Sequence, residues 1–229
     1  MIGAVLFDWG GTLSTYTDVD LLAMWLAAAQ VLDPEDPERL AQQLLEAEHA
    51  WWRSRVLDAG GGASGTTEQL VRSVEARTHL PVHEALAAYH GAWEATVSHD
   101  PDAAAVLRGC LDRGWRTGLL SNTHWPRAVH DRWLADARLL DLLQVRVYTS
   151  DLPHMKPHPQ AFQVLLDALD VEPADAVFVG DRPHDDISGA QAVGMRTVLL
   201  SGRPVPRHDV VPDAEIRSLA GLLDLLDSW

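Results

Sequence analysis

The stretch VLFDWGGTLS, Val5 to Ser14, is an apolar run that stops at an aspartate, a tryptophan and two glycines. A strand buried on both faces has to be apolar throughout. An aspartate at its carboxyl end, followed by a glycine turn, puts a charge at the rim of a sheet. The same grammar recurs downstream. Ile2–Phe7, Trp115–Leu120, Val145–Tyr148, Ala176–Val179 and Arg196–Leu200 read as buried strands. Helical patterns lie between the later ones, over Pro101–Arg113, Pro126–Leu140, Pro159–Leu169 and His184–Val193, with Gly114, Pro173 and Gly194 as stops. Strand alternating with helix predicts an α/β fold, a Rossmann-like parallel sheet with helices on both faces.

Residues 15–98 break that rhythm. They show no strand pattern, only helical ones over Val19–Leu32, Pro37–Leu57, Thr67–Arg77 and His83–Val97. Thr66 and Gln69 have capping-box spacing. The link AGGGASG, Ala59 to Gly65, separates the second pattern from the third; it reads as a flexible loop, with a substrate-facing loop as the lesser alternative. The expected organisation is a core from residues 1–14 and 99–229 with an inserted all-helical domain from 15–98, hinged near Thr15–Asp18 and Ser98–Pro101.

Composition narrows the partners. The net charge of −15 repels phosphate backbones and anionic lipid, so neither nucleic acid nor membrane is an expected partner. The longest fully apolar run, Leu21 to Ala29, falls far short of the ~20 residues a membrane span needs. The opening MIGAVLFD has no basic region and no cleavage-type ending, so no signal peptide is expected. With one cysteine, Cys110, an internal disulfide is excluded and a cytoplasmic location is expected. Of 18 basic residues, Lys156 is the only lysine. Composition alone leaves open whether a compact ammonium is needed there or one lysine persisted by chance.

In a doubly wound sheet, ligands bind beyond the carboxyl ends of the strands. After the first strand comes Asp8; after the second, Ser121, Asn122, Thr123 and His124; after the third, TSDLPHMKPHP with Lys156; after the fourth, GDRPHDD, Gly180 to Asp186. Together these edges offer a carboxylate, a hydroxyl, an ammonium and an acidic cluster. Asp8 and the Asp181 region could hold Mg²⁺ through hard oxygen ligands. Ser121 and Lys156 could bind phosphoryl oxygens, and Asp8 could be a nucleophile.

With these residues in view, the chain resembles the haloacid dehalogenase superfamily of hydrolases. The motifs DWGGT, LLSNT, the lysine of HMKPHP and GDRPHDDISGA run in the family's order from Asp8 to Asp186, and the helical insertion resembles the family's cap. The resemblance implies that Asp8 forms an aspartyl-phosphate and that Mg²⁺ is bound by Asp8, the Gly10 carbonyl, Asp181 and Asp186. It implies that Ser121 binds the transferring phosphoryl group, Lys156 offsets negative charge, Thr12 braces the loop, and Asn122 and His124 lie on the substrate side. Asp185 reads as a solvated charge at a helix start. The implied substrate is a small phosphorylated compound.

One position departs from the pattern. Family phosphatases carry a second aspartate two residues after the nucleophile, which protonates the leaving oxygen and then activates water. Here that position is Gly10. General acid–base help is worth ~10²–10⁴-fold. His124 is a candidate replacement because histidine titrates near neutrality; His154, His158 and His184 flank the third and fourth motifs, though most of the eleven histidines are expected at the surface. Arg127 and Arg182 are candidate anion contacts, as are Arg53 and Arg55 of AWWRSR, whose tryptophans are expected in the core of the insertion. DWGGT also resembles the first motif of phosphonoacetaldehyde hydrolases, but residues 15–98 contain no lysine for their Schiff base. A metal-independent dehalogenase would not need Asp181 and Asp186. The alternative from another class is a phosphometabolite-binding or regulatory protein with little turnover.

Overall fold

In the computed structural model, residues 1–15, 19–56, 62–74, 81–202, 205–206 and 208–229 are described. Six strands form one parallel sheet: β1 (Ala4–Phe7), β2 (Arg116–Ser121), β3 (Val145–Tyr148), β4 (Ala176–Gly180), β5 (Arg196–Leu200) and β6 (Ala214–Ile216), in the spatial order β3-β2-β1-β4-β5-β6. The expected α/β class and parallel sheet are observed. Every residue of β1 and of β4 is buried.

The two-residue period of a strand divides the core into two layers. Val5 and Phe7 pack with Leu107 and Cys110 of α5 (Ala103–Asp112), Leu134 of α6 (Arg127–Asp136), and Leu222 and Leu226 of α9 (Leu222–Asp227). Ala4 and Leu6 face the other way, onto Phe162 and Leu165 of α7 (Pro159–Leu169) and Ala190 of α8 (Gly189–Ala192).

Between β1 and β2 come α1 (Leu21–Leu32), α2 (Pro37–Val56), α3 (Thr67–Val74) and α4 (Val82–Glu94). They bury a separate apolar cluster in which Trp25 stacks on Tyr89 at 4.2 Å. Its edge is completed by Trp125 and Trp133, which belong to the sheet-bearing part. Where the chain enters and leaves this layer, its two crossing segments pair. Ser14 bridges His99, the Thr15 amide donates to Ser98 O at 3.0 Å, and the Asp100 amide donates to Leu13 O at 2.9 Å. The remainder of the first hinge, 16–18, lies outside the described residues, as do 57 of the second expected helix, 59–61 of the glycine-rich link and 75–77 of the third expected helix. The capping box forms: the Thr66 amide donates to Gln69 Oε1 at 2.9 Å and the Gln69 amide to Thr66 Oγ1 at 3.2 Å.

Two features differ from the sequence expectation. The helix expected over His184–Val193 is not continuous. Pro183–Ser188 winds as a wide turn, with the Ile187 amide bonded to Arg182 O, before α8 begins. The cause is local, since Asp186 folds back so that its Oδ2 accepts from the Arg182 amide at 2.9 Å. The strand β6 and the helix α9 were not anticipated. β6 has three partly exposed or exposed residues, too short for a periodic signal. No helix among the described residues is long and apolar enough to cross a membrane.

Candidate active site

Strand register assembles the site. Phe7 of β1 lies opposite Val179 of β4, and the Asp8 amide donates to Val179 O at 2.9 Å. Asp8 and Asp181 therefore follow the ends of adjacent strands, with Asp8 level with Gly180 and Asp181 one residue farther on. They do so where strand order reverses, the crevice in which open α/β sheets bind ligands. After Asp8 the chain turns through Gly11, whose φ of +85° lies in the left-handed region that glycine tolerates. The Ser14 amide closes this second wide turn onto Trp9 O at 2.8 Å.

Asp186 joins the pair from the turn after β4. Carboxylate oxygens of Asp8, Asp181 and Asp186, all buried, lie within 4.8 Å of one another. Asp186 reaches this place because Gly180 has no side chain. A Cβ at residue 180 would stand 2.4 Å from Asp186 Cβ, Cγ and Oδ2.

Lys156 closes the group from the loop after β3. Its Nζ donates to Asp8 Oδ1 at 2.6 Å, Asp186 Oδ1 at 2.7 Å and Leu120 O at 2.9 Å. An ammonium has three donors, and all three are used. Asn122 sets this loop in place. Its Nδ2 donates to Lys156 O at 3.0 Å while its Oδ1 accepts from the Lys156 amide at 2.8 Å. Ser121, at the end of β2, is 2% exposed and lines the adjoining cleft.

The electrostatics follow from burial. Burial pushes the Asp8 carboxyl up to about 6, against the pull of Lys156 and with the help of Asp186. Burial would lower the Lys156 ammonium, but the Asp186 and Asp8 carboxylates hold it above its ordinary value. Three buried carboxylates against one ammonium leave surplus negative charge and hard oxygen donors. A divalent cation such as Mg²⁺ suits both.

The helical layer faces this group across a cleft of about 620 Å³. The cleft reaches from Asp8, Gly10 and Lys156 to Trp52 and Glu48 of α2 and Trp93 of α4. His124 is buried at the seam. Its Nε2 meets Glu48 Oε1 at 2.8 Å, and its Nδ1 meets Thr67 Oγ1 at 2.9 Å. Both ring nitrogens are thus engaged with the helical layer. Burial would raise Glu48, but the hydrogen bond and charge of His124, with the Trp25 and Trp52 indoles, outweigh it and hold the carboxyl below its ordinary value. A second seam joins the glycine-rich loop to the lysine loop. Ala63 bridges His154, the Ser64 amide donates to Pro153 O at 3.0 Å and the Met155 amide to Gly62 O at 3.2 Å.

The structure thus brings together Asp8, Gly10, Ser121, Asn122, His124, Lys156, Asp181 and Asp186. Thr12 is wholly buried behind them and is not part of the cleft wall. Asp185 is not a solvated charge. Its side chain is 22% exposed, lines the cleft and lies 3.5 Å from Arg182. Trp52 lines the cleft rather than packing in the core of the helical layer. Arg127 pairs with Asp151 away from the cleft, Arg53 is exposed, and the Arg55 side chain lies outside the described residues. His154 stacks on His158, and neither they nor His184 line the cleft. His90 and His130 are buried rather than at the surface. Glu48 and Thr67 carried no sequence signal, because their partner His124 lies 76 and 57 residues away.

A family model described as haloacid dehalogenase-like hydrolase matches residues 2–194. Glyceraldehyde 3-phosphate phosphatase of Pyrococcus abyssi is 30% identical over 208 residues, covering 86% of this chain and 81% of the relative. A solved haloacid dehalogenase-type phosphatase from Thermococcus onnurineus superimposes with a TM-score of 0.67 at 27% identity over 98% of each chain. A 2-haloacid dehalogenase from Pseudomonas syringae pv. Tomato does so with a TM-score of 0.69 at 24% identity over 100% of each, a likeness of fold alone.

Proposed function

The chain belongs to the haloacid dehalogenase-like hydrolases, and from that membership we propose that it is a Mg²⁺-dependent hydrolase of a small phosphorylated compound. The likeness to the P. abyssi phosphatase supports phosphate esters as the substrate class. The observation that carries the reading is the buried group in which Lys156 Nζ bridges Asp8 and Asp186, with Asp181 alongside.

In this reading Asp8, the Gly10 carbonyl, Asp181 and Asp186 would hold Mg²⁺, which would supply charge neutralisation for the phosphoryl group. One oxygen of Asp8 attacks phosphorus and forms an aspartyl-phosphate. Lys156 holds Asp8 in its ionised form and offsets the charge gathering between carboxylate and phosphate. Ser121 donates to a phosphoryl oxygen from the end of β2. Asn122 positions Lys156 through the two hydrogen bonds to its backbone. Residues 15–98 act as a cap over residues 1–14 and 99–229, and closing the cleft excludes water.

The dehalogenase alternative has less support, because it gives the paired Asp181 and Asp186 no task. A second reading, a binding protein with little turnover, draws on Gly10, beside which a Cβ would meet nothing within 4 Å. Hydrolysis of p-nitrophenyl phosphate with Mg²⁺, against EDTA and Asp8→Asn controls, separates the two. Steady turnover lost in both controls is expected. Folded protein that releases no p-nitrophenol, yet is stabilised by Mg²⁺ and phosphate, would favour the binding role.

A further inference from the structure

Resting on the phosphohydrolase reading, we propose that the ester cleaved here is an aryl phosphate, whose leaving group is flat, apolar and able to depart without a proton. The inference joins the chemistry missing at the nucleophile to the chemistry of the cleft wall.

At Gly10 the backbone is ordinary, with φ −74° and ψ 110°, and the space beside it is open. An acid would fit there, and none is present. The titratable groups nearest the cleft floor are mostly engaged with other side chains. His124 has both nitrogens engaged, and Glu48 is held ionised by His124 and Trp25. Asp185 faces Arg182, and His130 Nε2 is bonded to Thr123. His49 lines the cleft from α2, on the wall of the helical layer with Trp52, and is exposed there. An alkoxide leaving without a proton is a poor leaving group, whereas a phenolate is a good one.

The wall points the same way. Trp9, Trp52, Trp93 and Trp125 line the cleft together with Val19 and Met155. Its volume of about 620 Å³ leaves room for a ring system beside the phosphate group. Most polar side chains along it are committed to the protein itself. Ser14 donates to Trp9 O at 2.9 Å, Thr96 to Trp93 O at 2.8 Å, and Thr15 pairs with Ser98. The Asn122 amide is spent on Lys156. A polyhydroxy leaving group would lose its hydrogen bonds to water and find few replacements, at a cost of ~1–3 kcal/mol for each group left unsatisfied. Among the described lining residues the cations are Lys156, fully bonded, and Arg182, faced by Asp185. A second anionic group on the substrate therefore has little to meet. An aromatic ring, in contrast, can stack or pack edge-on against the indoles.

The step balances without a proton donor. An Asp8 oxygen bonds to phosphorus, and the P–O(aryl) bond breaks with its electron pair staying on the phenolate. Water then attacks the phosphorus of the aspartyl-phosphate. Phosphate departs, Asp8 is regenerated, and the proton passes to solvent.

The test is a set of kcat/KM values on the whole protein with Mg²⁺, for phenyl, 2-naphthyl, cyclohexyl and glycerol phosphates. Phenyl and cyclohexyl are matched in size and differ in leaving-group basicity. Phenyl phosphate is expected to exceed cyclohexyl phosphate by at least ~10²-fold, and Gly10→Asp to shrink that ratio by tenfold or more, as supply of the acid requires. Naphthyl is expected to exceed phenyl. Trp52→Ala should abolish that preference, while Trp52→Phe, which keeps an aromatic face, should retain it. Cyclohexyl or glycerol phosphate cleaved within about threefold of phenyl phosphate would overturn the aryl assignment and leave the phosphohydrolase reading standing. No release of phosphate from any of the four, in folded protein, would overturn both.

Discussion

Lys156 is the residue on which the site depends most directly. Its ammonium bridges two buried carboxylates, at 2.6 Å from Asp8 Oδ1 and 2.7 Å from Asp186 Oδ1, which would otherwise repel each other. Lys156→Met should lower turnover by on the order of 10²–10³-fold, the usual cost of losing a preorganised charge partner. Lys156→Arg should not rescue it, since a planar guanidinium cannot place three donors tetrahedrally. Steady-state kinetics on the two variants checks both. Gly180 is the second critical residue. Gly180→Ala would drive a methyl into Asp186, expel its carboxylate and cost ~1–3 kcal/mol. Its diagnostic sign is loss of Mg²⁺ protection in thermal melts. In wild-type protein, Mg²⁺ at a hundredfold excess over Kd should raise Tm by about 5–10 °C, and EDTA should reverse it.

At the scale of elements, α2 meets the sheet-bearing part through Glu48. This carboxylate accepts from His124 on one oxygen and from Trp25 Nε1 at 2.6 Å on the other. Glu48→Ala strips an acceptor from two buried groups at once and should destabilise by ~3–5 kcal/mol, read as a lower urea midpoint. Glu48→Gln keeps an acceptor and should cost less. The capping box at Thr66 and Gln69 and the bonds of Thr67 to His124 fix the start of α3 against the same loop. Capping was legible in the sequence because its two residues are three apart. The Glu48 contact was not, because nothing local marks which histidine a buried glutamate will meet.

Across the whole molecule, two buried histidines drive the response to acid, opposed below about pH 6 by Asp8, whose raised carboxyl binds its proton more readily in the folded chain. Burial lowers His130 to about 3 and His90 to about 4, with smaller contributions from His124. Both are neutral in the folded chain, while in the unfolded chain they take up protons near pH 6.5. Between these values the unfolded state binds more protons, so stability rises with pH. Folding stability should be intact above about pH 6.5 and fall on acidification toward pH 3–4, with each histidine adding up to ~1.4 kcal/mol per pH unit. Glu48, held below its ordinary value, loses its contribution at the acid end in the same direction. Urea titrations from pH 4 to 8 check the slope, and His130→Asn should flatten it.

The sequence by itself determined the parallel sheet, the succession of strands and helices along the chain through β5, the four helices α1 to α4 between β1 and β2, and the charged residues at the strand ends. Those features are local: buried strands are apolar along their length, helices announce their periods and caps, and a carboxyl-end loop follows its strand directly. Only the tertiary structure decided that Asp186 folds under Gly180, that Asp185 faces the cleft, that Thr12 stays behind it and that Trp52 turns toward it. It also decided that His124 is held by Glu48 and Thr67. The His124 contacts join segments dozens of residues apart, where two separately packed apolar clusters meet at a seam, while the Asp186 fold-back is a local turn that hydrophobic periodicity does not mark.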